Sequence, residues 1–189
     1  MDIVSNQQRK KIHPHKFTMW VAIASILMLF AGLTSAYIVK SNQAGWQEVV
    51  MPKIFWGSTA VILASSLTMQ IAVRSFKQRA MNQYRSLIAI TFFLGIVFII
   101  FQCIGFLQLW DQEQVTLKGS GAGQFLYVIF GLHAVHVLGG VIALLLMFLK
   151  AFFGKIKLYS AVPVEVAATY WHFVDALWIY LLVFFLWVG

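Results

Sequence analysis

Four stretches of this sequence, Phe17 to Val39, Ile54 to Val73, Ser86 to Trp110 and Gly119 to Leu149, contain no Asp, Glu, Lys or Arg. About 20 apolar residues at 1.5 Å rise cross a hydrocarbon core of about 30 Å, so an uncharged run of about 18 or more reads as a transmembrane helix. A fifth apolar stretch, Val166 to Val188, is interrupted by His172 and Asp175. The runs are continuous rather than alternating, which excludes a β-barrel. The expected fold is an all-α integral membrane protein, a bundle of about five helices at 17–39, 54–73, 87–109, 125–149 and 166–188. Composition agrees: of 189 residues, 61% are hydrophobic and 11% charged, against about a quarter charged in an ordinary soluble domain.

The net charge of +8 is a topology signal rather than a mark of nucleic-acid binding. Arg9, Lys10, Lys11 and Lys16 precede the first span. Arg74, Lys77, Arg79 and Arg85 lie between the second and third, and Lys150, Lys155 and Lys157 follow the fourth. Only Lys40, Lys53 and Lys118 fall on the opposite side. The positive-inside rule then predicts a cytoplasmic N-terminus and an external C-terminus, as an odd number of spans requires. The first apolar stretch exceeds the usual 7–15 residue core of a signal peptide and reads as a retained span. The expected organisation is a basic cytoplasmic segment at 1–16 and a single membrane domain at 17–189. Cys103 is the sole cysteine and reads as a small apolar side chain.

Ionisable groups inside a span are costly, about 2.5–3.5 kcal/mol at a helix centre on the insertion scale, and they face partners rather than lipid. In the last span, Glu165, Thr169 and His172 share one stripe, and Trp171, Asp175 and Trp178 form its neighbour. The two stripes suggest a proton relay or buried switch, or else an interhelical hydrogen bond that fixes packing. The fourth span carries Gly131-Leu-His-Ala-Val-His-Val-Leu-Gly-Gly140. Its small residues permit close helix approach, and His133 and His136 share a face. A three-histidine metal site with His172 is excluded by depth: at 1.5 Å per residue, His133 and His172 differ in height by on the order of 14 Å, against a zinc–nitrogen distance of about 2.1 Å. His136 and Asp175 fall at a common depth, which predicts a direct or water-bridged pair. Gln102 reads as a packing hydrogen bond. His13-Pro14-His15 is too small for a metal site, and Gly119-Ser-Gly-Ala-Gly123 is a lead-in to span four rather than a phosphate loop. The aromatic residues of the last span (Trp171, Phe173, Trp178, Tyr180, Phe184, Phe185, Trp187) read as lipid-facing and interfacial anchors.

With Glu165 before it and the His-x-x-His span preceding it, the stretch Tyr170-Trp171-His172-Phe173-Val174-Asp175 resembles subunit III of the haem-copper terminal oxidases. The wording is that of the cytochrome c oxidase branch, and the resemblance runs from about Lys16 to Gly189 in a short, bacterial five-helix form. It implies a non-catalytic subunit of a proton-pumping cytochrome c oxidase in a bacterial plasma membrane. Such a subunit packs against catalytic subunit I, beside subunit II, in aerobic respiration. It supports proton uptake, protects against turnover inactivation and holds structural phospholipid. Haem and copper are expected in the partner subunits and none in this chain. The retained polar set is Gln102, His133, His136, Glu165, His172 and Asp175. Two of the family's usual intramembrane carboxylates are missing, since Ser25 is followed by Ile26 and Gln102 by Gly105 three residues on. The corresponding subunit of a quinol oxidase, or a nitric oxide reductase-associated homologue, is the near alternative. A small proton-coupled transporter is the remote one, without the inverted repeats and broken helices of that class.

Overall fold

A computed structural model describes residues 14–41, 51–111, 121–153 and 161–188 of the chain. The described residues form five helices and no strand: α1 (Pro14–Ser41), α2 (Ile54–Lys77), α3 (Met81–Trp110), α4 (Gly121–Phe153) and α5 (Ala161–Val188). All five are long and apolar enough to cross a membrane. A helix satisfies its own backbone hydrogen bonds, which is what a segment in lipid must do. Each helix contains its expected span, and most overrun it by a turn at one or both ends. Pro14 opens α1 and Pro163 lies in the first turn of α5, where the missing N–H costs nothing.

Two expectations change at the helix ends. Residues 14–16, assigned to the N-terminal segment, belong to α1, and Gly121 to Gly123 are the first turn of α4 rather than a lead-in. Arg9, Lys10, Lys11, His13, Lys118, Gly119, Ser120, Lys155 and Lys157 lie outside the described residues.

The α2–α3 hairpin is the most extensively packed pair. Its seam positions are Phe55, Ser58, Ile62, Ser65, Met69, Ala72 and Phe76 on α2, with Ser75 also buried. On α3 they are Tyr84, Ile88, Thr91, Gly95, Phe98, Gln102, Gly105 and Leu109. Both alternate steps of three and four, the seam of a left-handed coiled coil. Without a hydrophobic force between helices in lipid, small side chains that let backbones approach do the work. Ser58, Ser65 and Ala72 supply them on one helix, Gly95 and Gly105 on the other. A Cβ on Gly105 would collide with the Phe55 ring, so the glycine makes room for a phenylalanine. The connection is a Schellman turn: Ala80 N–H donates to Ser75 O at 3.0 Å and Arg79 N–H to Phe76 O at 3.1 Å. Arg79 takes the left-handed conformation, φ 59°, that this turn demands.

Helices α2, α3 and α4 form an arc closed by α5, which packs on α1, α2 and α4. α5 is accordingly the central helix, with 50% of its membrane-length window buried against 22–28% for the others. α1 packs only on α4 and α5 and comes within 8 Å of neither α2 nor α3, Cα to Cα. An open groove therefore separates α1 from α2, with α5 as its floor.

Candidate functional site

Two faces of α5 define the site. The interior face carries Trp171, Asp175 and Trp178, all buried. The Trp171 ring lies on the backbones of α3 and α4: a Cβ on Gly95 would stand 3.2 Å from it and one on Gly140 only 2.8 Å. Its Nε1–H donates to Ser65 Oγ at 3.1 Å, and Trp178 Nε1–H donates to Thr59 Oγ1 at 3.1 Å. Buried indoles need such acceptors. The Trp178 ring meets Phe55, Phe98 and Phe130 and stacks on His133 at 5.4 Å between ring centres. Asp175, held between the two indoles, is 3% exposed. The aromatic residues of α5 were expected at the lipid surface, and most are core instead. Trp171, Trp178, Phe184 and Phe185 are buried, and only Tyr180 and Trp187 are well exposed. Small residues on α3 and α4 leave a central space that large rings fill, which composition does not reveal.

The second face carries Glu165, Thr169 and His172 and floors the groove, a space of about 450 Å³ that Lys16 and Trp20 of α1 and Gln70 and Lys77 of α2 also line. At its mouth the Glu165 carboxylate accepts from two ammonium groups, Lys16 Nζ at 2.5 Å and Lys77 Nζ at 2.8 Å. One side chain of α5 thus ties α1 and α2 across a gap that their own backbones leave open. Deeper in, His172 Nδ1 and Ser66 Oγ share a hydrogen bond of 2.6 Å, the interhelical bond that the sequence left as one of two readings for this stripe.

The histidines are committed in different directions. His136 Nδ1–H donates to the Leu132 carbonyl at 2.6 Å, and the ring meets Phe30 of α1. His133 is 2% exposed, with neither ring nitrogen hydrogen-bonded, and lies between Phe30 and Trp178. Among the described residues no group of three or more His, Cys, Asp or Glu is placed to hold a metal ion. A direct His136–Asp175 pair does not form: both Asp175 oxygens lack a hydrogen-bond partner within the chain. Common depth was right to notice but insufficient, because His136 turns to its own helix and α1 while Asp175 faces the side of α5 that meets α2. Gln102 is buried, and its amide nitrogen makes no hydrogen bond.

Sequence reasoning missed Thr59, Ser65 and Ser66. The signal was present. α2 and α5 run antiparallel, so Thr59 stands level with Trp178, and Ser65 and Ser66 with Trp171 and His172. Each pairing is a hydroxyl opposite an N–H or imidazole within an apolar span.

The family profile for Cytochrome c oxidase subunit III matches residues 9–189. The chain belongs to the cytochrome c oxidase subunit III family. Among curated relatives, the probable cytochrome c oxidase subunit 3 of Nocardia farcinica is 32% identical over 162 residues, covering 83% of this chain and 79% of the relative. That of Bacillus subtilis is 25% identical, over 86% of this chain and 80% of its own. The Drosophila yakuba protein is 33% identical across 70% of this chain but only 49% of its own length. The chain is therefore a multi-pass membrane component of a respiratory oxidase, of a size with its bacterial relatives. The resemblance seen in Tyr170 to Asp175 holds, and the geometry adds what this hexapeptide does. Tyr170 OH donates to His136 O at 3.0 Å, Trp171 fills the α3–α4 gap, His172 binds α2, and Val174 and Asp175 are buried. Phe173 lies against α1 in an apolar groove with Leu27 and Phe30.

Proposed function

We propose that this chain is the non-catalytic third subunit of an aerobic cytochrome c oxidase. It packs against catalytic subunit I, beside subunit II, in a bacterial plasma membrane, with its basic end in the cytoplasm. Haem and copper reside in the partner subunits, and this chain contributes a scaffold that supports proton uptake, protects against turnover inactivation and holds phospholipid. The observation that carries the reading is the signature helix α5. Its wording resembles the cytochrome c branch, and Glu165, Tyr170 and His172 tie it to α1, α2 and α4. The basic residues at one end, Lys16, Arg74, Lys77, Arg85 and Lys150, agree with a cytoplasmic face and with contact to anionic headgroups.

The test is a reduced-minus-oxidised visible spectrum of the complex that copurifies with the tagged chain from native membranes in mild detergent. A haem a band in stoichiometric amount is expected. Haem b or o without haem a would move the chain to a quinol oxidase or nitric oxide system, and an intact complex without haem would defeat the reading. Stripping the chain should leave the metal spectra unchanged and shorten the working life of the enzyme during turnover.

A further inference from the structure

The described residues hold three acidic side chains. Asp111 caps α3, Glu165 lies at the groove mouth between two lysines, and Asp175 alone is sealed inside the bundle. Both its oxygens are buried without a hydrogen-bond partner. A charge so placed is costly in an apolar interior, and a carboxyl can shed it only by taking a proton. The proton needs a route, and the neighbourhood has one. Side chains on a helix lean toward its N-terminus, so the Asp175 carboxyl tilts toward the level of His172, where Ser66 of α2 stands. Ser66 follows Ser65, which meets Trp171 of the same α5 face, and it shares a hydrogen bond with His172 Nδ1 at 2.6 Å. The His172 ring in turn lines the groove, and its Nε2 is buried with no partner. Orphaned buried polar atoms of this kind are ordinarily met by water.

We infer that Asp175, Ser66 and His172 form a proton-exchange site that fills and empties through the groove between α1 and α2. In uptake, a shift of the His172 ring brings its buried Nε2 to the groove, where it takes a proton from water, and the Nδ1 proton passes to Ser66 Oγ. Ser66 then gives its original hydroxyl proton to Asp175. Imidazole and hydroxyl both end neutral, with the ring in its other tautomer, and the carboxylate has become the neutral acid. Release runs the same steps backward. Glu165, Lys16 and Lys77 set the charge of the groove mouth from α5, α1 and α2. α4 faces the interior with His133, separated by the Trp178 ring, and α3 offers only the hydroxyl of Thr91 and the amide of Gln102. The site concerns this chain alone, so it stands or falls separately from its membership of an oxidase.

The test is infrared spectroscopy of the full chain in bilayer discs at neutral pH, transferred into D₂O. The native chain is expected to show one protonated-carboxyl C=O band that shifts on deuteration, and Asp175→Asn to lose it. Ser66→Ala and His172→Phe should keep the band but exchange about tenfold more slowly, with Ser66→Thr restoring the native rate. Absence of the band from the native chain overturns the proposal. So does native-rate exchange in either Ser66→Ala or His172→Phe, which decides the matter even where Asp175→Asn fails to fold.

Discussion

The two faces of α5 differ by one residue in register and by almost everything else. The interior face, Trp171, Asp175 and Trp178, is closed by glycines and rings from three helices. The groove face, Glu165, Thr169 and His172, looks onto a helix pair that never closes, because α1 bypasses α2. One face obtains its order from shape, the other from charge and hydrogen bonds. The contrast explains how a helix this apolar tolerates a carboxylate and an imidazole. The sealed face buries the carboxylate and the open face gives the imidazole a hydroxyl partner and a route to water.

If shape holds the interior face, the largest loss should come from Trp171→Ala. A fully buried tryptophan removed from between two glycine-bearing helices should cost about 3–5 kcal/mol. It should be seen as unfolding at a lower mole fraction of dodecyl sulfate, followed by circular dichroism in mixed micelles. A cost near that of one lost hydrogen bond would mean the ring is not the wedge described here. Gly140→Ala comes next. Its new methyl would stand 2.8 Å from the Trp171 ring, and such overpacking costs about 1–3 kcal/mol. In the Trp171→Ala background the obstacle is gone, and the same change should turn neutral or stabilising through better helix propensity. Additive effects of the two changes would separate Gly140 from the wedge.

How much of this was legible in sequence follows the same division. Span number and order are carried by charge-free runs, because the bilayer leaves the backbone few alternatives, and all five appear as helices. Depth along a helix can be estimated by counting residues from the middle of the span. Direction around the helix axis was not legible. His136 and Asp175 share a depth and no hydrogen bond, since which face meets which neighbour depends on where small residues let helices close. The rings of α5 were misjudged for the same reason: Trp171 is core only because Gly95 and Gly140 stand opposite. The groove lay beyond the sequence altogether, because it arises from a contact that α1 does not make. Lys16 and Lys77 counted as topology signals and turn out also to clamp Glu165.

That clamp gives the smallest expected effect and the sharpest view of the open face. The three side chains of Lys16, Lys77 and Glu165 are 43%, 54% and 24% exposed, and pairs this wet contribute about 0–1 kcal/mol. Glu165→Gln should therefore barely change resistance to dodecyl sulfate, and what change there is should fade as salt screens the charges. Geometry should respond more than energy. With the carboxylate gone, no acidic side chain among the described residues at this end offsets the repulsion between the two ammonium groups. Spin labels placed at the exposed positions Phe17 on α1 and Arg74 on α2 should then report a broader and longer distance distribution, narrowing again in high salt. An unchanged distribution would mean that α1 is positioned by its buried residues further along, Phe30, Thr34 and Tyr37. Thr34 Oγ1 already reaches Tyr180 OH at 3.0 Å, so shape rather than charge would then govern both faces of α5.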